Sequence, residues 1–146
     1  MGLDQRLVDA AVDQLHTRWA GEGVAAAVYL DDGGILTSVA LDNLNSAATA
    51  CAETGALCQA YTLDRRVTAS VCVSREGERA AIDVLAPCGI CQERLALWGP
   101  DVQVGVADDT AAAGWAARTL RELNPYYWGT RFTDGGTWPT PAGHRA

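Results

Sequence analysis

Three cysteines and one glutamate stand at spacings that could do chemistry together. Cys51-Ala52-Glu53 is followed further along the chain by Pro87-Cys88-Gly89-Ile90-Cys91. Thiolates suit zinc, which in proteins takes four ligands in a tetrahedron. Three cysteines would leave the fourth position to water, and a catalytic zinc lowers the pKa of that water to about 7. Glu53, two residues past Cys51, falls near such a metal without ligating it, where a carboxylate can move protons. The same residues admit two plainer readings. One is a structural zinc site, although that normally takes a fourth protein ligand. The other is a set of buried cysteines that bind nothing.

Particular elements must bring these residues together. Residues 90–98 (ICQERLALW) predict a helix entered through a tight turn, with Ile90, Leu95, Leu97 and Trp98 available to pack. Pro87 fixes φ and lacks a donor, and Gly89 permits close backbone approach. Residues 50–61 (ACAETGALCQAY) predict a second helix, opened by Cys51. A helix N-terminus presents free N–H groups and roughly half a positive charge, which favours a thiolate. The expected site therefore lies where two helix N-termini meet.

The rest of the chain supplies a sheet. Residues 3–19 predict an amphipathic helix, with Leu3, Leu7, Ala11 and Leu15 recurring at i+4. Apolar runs at 24–30 and 35–41 flank Asp31-Asp32-Gly33-Gly34, a hairpin signal. Residues 68–73 and 80–86 read as strands separated by a charged loop from Ser74 to Arg79, and 102–107 as a fifth strand. Residues 115–123 fit either a helix or a short extended piece leading into a helical turn. Hairpin, helix, strand, strand, helix, strand points to one α/β domain, a three-layer α/β/α sandwich with a five-stranded mixed sheet. Ligand sites in open α/β sheets tend to lie at the C-terminal edge of the strands. The domain is expected over residues 1–130, with an irregular C-terminal tail over 131–146.

The order C-x-E … P-C-x-x-C, with its proline, resembles the cytidine deaminase superfamily. It is most similar to the small three-cysteine enzymes, which include tetrameric cytidine deaminases and blasticidin S deaminase. Three further stretches carry the likeness. Asp42-Asn43 stands where the family has a Glu-Asn pair, Asp32-Gly33 falls at its first hairpin turn, and Arg121-Glu122-Leu123-Asn124-Pro125-Tyr126-Tyr127-Trp128 is similar to the closing stretch of blasticidin S deaminase. The resemblance implies Cys51, Cys88 and Cys91 as zinc ligands and Glu53 as the catalytic proton carrier. It implies Asp42, Asn43, Ala52, Tyr126 and Trp128 as substrate-binding residues. It also implies a homo-oligomer, by family a homotetramer, in which neighbours often complete each site.

This chain departs from the family's pattern at several positions. Ala40 and Asp42 replace the asparagine and glutamate that hold ribose hydroxyls, and Glu22 aligns with a phenylalanine near the pyrimidine. Thr54 and Gln92 stand where many relatives carry an arginine that offsets thiolate charge, which leaves Arg94 as a candidate for that task. The implied reaction is hydrolytic deamination of a cytosine nucleoside, cytidine or deoxycytidine, or of a nucleoside antibiotic such as blasticidin S. Ala40 and Glu22 keep open another aminated heterocycle that is not a ribonucleoside. A catalytically silent zinc-fold binding or immunity protein is a third reading, which the intact Glu53 opposes.

Composition bounds the partners. The 146 residues, 49% hydrophobic, are enough for one core. Net charge is −7 and every one of the 11 basic residues is an arginine. That balance opposes binding to a phosphate backbone, so no nucleic acid partner is expected. The chain has no apolar run long enough to span a membrane. Its first residues lack a basic region leading into an apolar stretch, so a cytoplasmic protein without a disulfide framework is expected. Of the two cysteines outside the motif, Cys58 is expected in the core on the face of Cys51, and Cys72 as a buried strand residue. Trp98 and Trp115 read as core and His144 as solvated, and His16, in the first helix beside Leu15, is not expected to bind zinc because three cysteines already supply the site. Asn43 serves either loop or substrate. Tyr126, Tyr127 and Trp128 suit stacking on a substrate, closure of a neighbour's pocket, or packing.

Overall fold

Alternation along two alanine- and valine-rich strands sets the layering. In β1 (Gly23–Leu30), Ala25, Ala27 and Tyr29 join one apolar cluster, while Ala26, Val28 and Leu30 join clusters on the opposite face. In β3 (Val67–Arg75), Ala69, Val71 and Val73 extend the first set and Cys72 lies with Ala26 on the second. Successive side chains point to opposite faces of a strand. A strand apolar on both faces must therefore be covered on both. α1 (Gln5–Arg18) covers the first face through Leu7, Val8, Ala11 and Leu15. α2 (Thr54–Thr62) and α3 (Gly89–Leu95) cover the second through Ala56, Leu57, Ala60 and Leu95. The result is the expected three-layer α/β/α arrangement. It is seen in a computed structural model that describes residues 2–77 and 80–140.

The sheet is mixed. Its main path runs β2 (Ile35–Val39), β1, β3, β5 (Gln103–Ala107), β6 (Trp115–Thr119), and a sixth strand, β4 (Asp83–Leu85), pairs with β3 off this path. Among the described residues only β3 and β5 run parallel; the other pairs are antiparallel. β5 pairs with Ala69 and Ser70, whereas β4 pairs with Cys72 to Ser74, so both lie along one edge of β3. For residues 115–123 the extended alternative holds: β6 leads into α4 (Leu120–Leu123), which starts with a capping box between Thr119 and Glu122.

Several sequence expectations are corrected. The second helix starts at Thr54, not at Cys51. Leu41 and Ala50 exchange two backbone hydrogen bonds, so the chain reaches Cys51 extended and must turn before a helix can form. Phase counted from Cys51 then fails, and Cys58 is exposed rather than in the core. Ile90 is also exposed, because the buried side of α3 holds Cys91 and Leu95. The strand expected over 80–86 keeps only Asp83–Leu85, the part that pairs with β3. β3 runs through Ser74 and Arg75, residues expected to open the charged loop. Arg75 there donates to the carbonyls of Trp19, Ala20 and Gly21, tying the end of α1 to the sheet. Glu78 and Arg79 of that loop, and 141–146 of the expected tail with His144, lie outside the described residues. Among the described residues no helix is long and apolar enough to cross a membrane.

Gly105 sits at the split along the β3 edge. A Cβ there would lie 2.8 Å from Val71 Cγ2 and 3.0 Å from Val84 Cγ1. Both neighbours are buried valines with little room to move. Gly105→Ala should therefore destabilise the protein by about 1–3 kcal/mol through overpacking. Urea unfolding should show it as a lower midpoint with an unchanged m-value.

Candidate functional site

Two backbone turns at one edge of the second face deliver the motif residues. The first is the turn at Cys51, where Thr54 N–H donates to Cys51 C=O over 3.0 Å before α2 begins. The second is the entry to α3, where buried Pro87 precedes Cys88, the N-cap residue. Gln92 fastens this entry by donating from its side-chain amide to Pro87 C=O, 2.9 Å away. Cys91 then lies one turn into α3 and is fully buried.

The three sulfurs converge. The ligand atoms of Cys51, Cys88 and Cys91 all lie within 4.8 Å of one another. The Cys51 and Cys88 sulfurs are 3.2 Å apart. A zinc–sulfur bond of about 2.3 Å in a tetrahedron separates its sulfurs by about 3.8 Å, so this spacing fits one shared ion. No carboxylate or imidazole joins the cluster among the described residues, so three donors are supplied and a fourth position is left over. Glu53 is buried, 4% exposed, and its Oε2 accepts from the Cys91 thiol over 3.4 Å.

Electrostatics make the cluster incomplete by itself. The hydrogen bond to Cys88 and then burial push the Cys51 thiol up. Burial, followed by the charge of Glu53, pushes Cys91 up. Cys88 goes the other way. Burial opposes its thiolate, but the N–H groups of Cys91 and Ile90 and the bond with Cys51 bring it below an ordinary thiol. The helix N-terminus that was expected to favour a thiolate thus acts at Cys88. Several acidic groups in one small volume repel each other when ionised. A divalent cation would offset that repulsion with its own charge, and binding it releases the thiol protons.

Arg94 supplies positive charge from the next turn of α3. Its Nη1 donates to Thr54 Oγ1 over 2.8 Å and approaches the Cys91 sulfur at 3.8 Å. Arg94 therefore stands beside the thiol cluster in a chain that has Thr54 and Gln92 at the positions discussed above.

The other candidates are scattered around this centre. Ala52 is buried and packs with Ala26 and Cys72, with Val24 and Ala40 alongside, in a patch of small residues on the same face. Cys72 feels the charges of Glu53, Cys51 and Cys88 and is raised well above an ordinary thiol, chiefly by burial. Asp42 and Asn43 are exposed on the loop that the Leu41–Ala50 bridge pinches off just ahead of Cys51. Glu22 is exposed just before β1.

The aromatic residues divide. Tyr126 is 93% exposed and Trp128 is 59% exposed, while Tyr127 is buried. Glu93 on α3 accepts from Tyr127 Oη and from Trp128 Nε1, each at 2.9 Å. Burial and the Glu93 carboxylate push the Tyr127 hydroxyl up to about 12. Tyr127 also stacks on Trp138, with ring centroids 4.3 Å apart. Glu93, Gln92's role, and Ser38 of β2, which touches both sides of Glu53 along the backbone, were not singled out from sequence. No local pattern marks Glu93 or Ser38, because their partners are far along the chain, whereas Gln92 bonds Pro87 only five residues back.

Comparison with known proteins places this arrangement. The solved cytidine deaminase from Bacillus anthracis matches with a TM-score of 0.82 and 40% identity, covering 90% of this chain and 94% of that one. The cytidine deaminase from Mycobacterium leprae matches with a TM-score of 0.65 and 25% identity, covering 83% of this chain and 96% of that one. A curated cytidine deaminase from Mycobacterium tuberculosis (strain H37Rv) is 36% identical over 73 residues, 49% of this chain and 51% of that protein. The chain thus spans about half the length of the curated relatives it matches. No family model matches the chain.

The Arg94 contact yields an expected outcome. Arg94→Ala should weaken zinc retention by about 10–100-fold, the usual cost of losing a partner that supports a metal ligand. Arg94→Lys should recover part of the loss, since it keeps the charge but not the planar fork. Chelator competition on zinc-loaded protein reads both.

Proposed function

This chain belongs to the cytidine deaminase family, and from that premise we propose that it is a zinc-dependent hydrolytic deaminase of a cytosine nucleoside. The observation that carries the proposal is the buried Glu53 carboxylate set against a cluster of three thiols with no fourth protein ligand among the described residues. A structural zinc site would use that fourth position. A binding protein would gain nothing from a buried carboxylate there.

Cys51, Cys88 and Cys91 would hold the zinc. When bound, zinc supplies Lewis acidity and a water acidic enough to serve as nucleophile near neutral pH. Glu53 takes a proton from the attacking water and delivers it to the ring nitrogen next to C4. It then carries the second proton to the amino group as the C4–N bond breaks. One water is consumed, ammonia leaves, and a carbonyl replaces the amine to give the uracil form. Arg94 would offset the negative charge of the Cys91 thiolate, to which the nearby Glu53 carboxylate adds its own.

Cytidine, deoxycytidine and the nucleoside antibiotic blasticidin S all carry the group this chemistry needs. A second reading, an aminated heterocycle other than a ribonucleoside, rests on Ala40, which packs in the small-residue patch and has no polar group for a ribose hydroxyl. Asp42, Asn43, Tyr126 and Trp128 are the side chains we assign to substrate, all exposed toward solvent in the single chain. Exposed aromatics beside the zinc helix suit a homotetramer in which neighbours close each other's sites, acting in the cytoplasm on free small molecules rather than nucleic acid.

Ammonia release from zinc-loaded protein tests the proposal. Cytidine, deoxycytidine, blasticidin S and free bases should be compared side by side. Turnover of the nucleosides supports the main reading, and turnover of a free base alone supports the second. A zinc-replete protein inactive on every amine would leave a silent binding protein. Glu53→Gln should keep its zinc and lose about 10²–10⁴-fold in kcat. Retained turnover removes Glu53 from the mechanism. Sedimentation should give the tetramer mass, and a monomer sinks the shared-site reading.

A further inference from the structure

Glu53 occupies an unusual place for a proton carrier. It is the N-cap residue of α2, yet its side chain makes no capping hydrogen bond and its backbone is helical, with φ −71° and ψ −24°. An N-cap side chain ordinarily accepts from the N–H of the second or third helical residue. In α2 the third of these is Ala56. A Glu53 carboxylate turned back to cap its own helix would point away from Cys91.

Ser38 takes that N–H instead. Its Oγ accepts from Ala56 N–H over 3.0 Å and donates to Ala52 C=O over 2.5 Å. One hydroxyl thus uses a donor and an acceptor site to grip the backbone on both sides of Glu53. The contact needs close approach. Gly55 provides it, since a Cβ there would lie 2.9 Å from the Ser38 Cβ. Strand alternation directs the grip. Thr37, the preceding residue of β2, bonds Gln14 of α1 on the opposite face, while Ser38 faces α2.

We propose that Ser38 is a positioning residue for the reaction, acting as a cap supplied from β2 so that the Glu53 carboxylate stays free and directed at the thiol cluster. The inference rests on the deaminase reading given above. It adds a residue outside the motif, on a strand no motif covers. Ser38 touches no reacting atom; it acts through Glu53.

The test compares wild type, Ser38→Ala, Ser38→Cys and Thr37→Val, all zinc-loaded. Each is measured for kcat and KM on cytidine, zinc content and urea midpoint, and Ser38→Ala is crystallised. With zinc content and KM held, Ser38→Ala should lose about 10–100-fold in kcat, the scale expected when a catalytic group is misplaced. Thr37→Val removes a bond from the same strand and should lower stability while leaving kcat within about twofold. In the Ser38→Ala crystal the Glu53 carboxylate should lie within hydrogen-bond distance of Ala56 N. A wild-type kcat in Ser38→Ala overturns the proposal. So does an equal kcat loss in Thr37→Val, which would make the effect one of general stability. Should Ser38→Ala fail to fold, Ser38→Cys retains a weak donor and acceptor. Its kcat should fall by less than the alanine range at unchanged KM, and wild-type kcat there again overturns the proposal. If wild type deaminates no substrate, the functional reading is what fails. The crystal then decides Ser38 alone: a carboxylate still aimed at Cys91 refutes its role, and one turned to Ala56 supports it.

Discussion

Three thiols and a buried carboxylate share one small volume, and the repulsion among them once the thiols ionise is the constraint that the second face of the sheet must meet. As thiols they share hydrogen bonds, but as thiolates beside a carboxylate they need positive charge close by. The protein offers it from two directions, the N–H groups at the start of α3 on Cys88 and the guanidinium of Arg94 beside Cys91, and the cluster geometry suits a divalent ion besides. Each of these depends on α2 and α3 lying against the same sheet face. Their packing through Ala56, Leu57, Ala60 and Leu95 is therefore a condition for the site as well as for the core.

Close approach is the second requirement, and small residues meet it. Ala26, Ala52 and Cys72 pack under the motif turn where larger side chains would lift α2 from the sheet. Gly55 lets β2 reach the backbone around Glu53. Gly105 lets β4 and β5 share one edge of β3, and β4 leads directly to Pro87 and the second pair of cysteines. Protein interiors transmit misfit because they are close-packed. A bulkier residue at any of these places would move a catalytic candidate by shifting the layer beneath it.

α3 serves two neighbours at once. One side buries Cys91 and Leu95. The other presents Glu93, whose two oxygens hold Tyr127 and Trp128 and so draw the C-terminal aromatic segment beside the helix that carries Cys91. Tyr126, Trp128 and Phe132 remain exposed in that segment, a surface more apolar than a free tail requires.

Some of this was legible from the residues alone. The hairpin follows from Asp32-Gly33 because turn chemistry is local: Gly33 adopts φ 82° and Asp32 accepts from Gly34 N–H. The layering follows from alternation in β1 and β3, and the thiol cluster from cysteine spacing with Pro87 and Gly89. These features depend on residues close in the chain or on a simple period. What only the tertiary structure decided depends on contacts between distant segments. The bridge between Leu41 and Ala50 delays α2, puts Glu53 rather than Cys51 at its cap and turns Cys58 outward. The direction of Arg94, the grip of Ser38 and the anchoring of the aromatic tail by Glu93 likewise join parts of the chain that no local pattern links. Spacing along a chain selects donors for a metal, but the orientation of their supporting groups is set by which layer each element packs against.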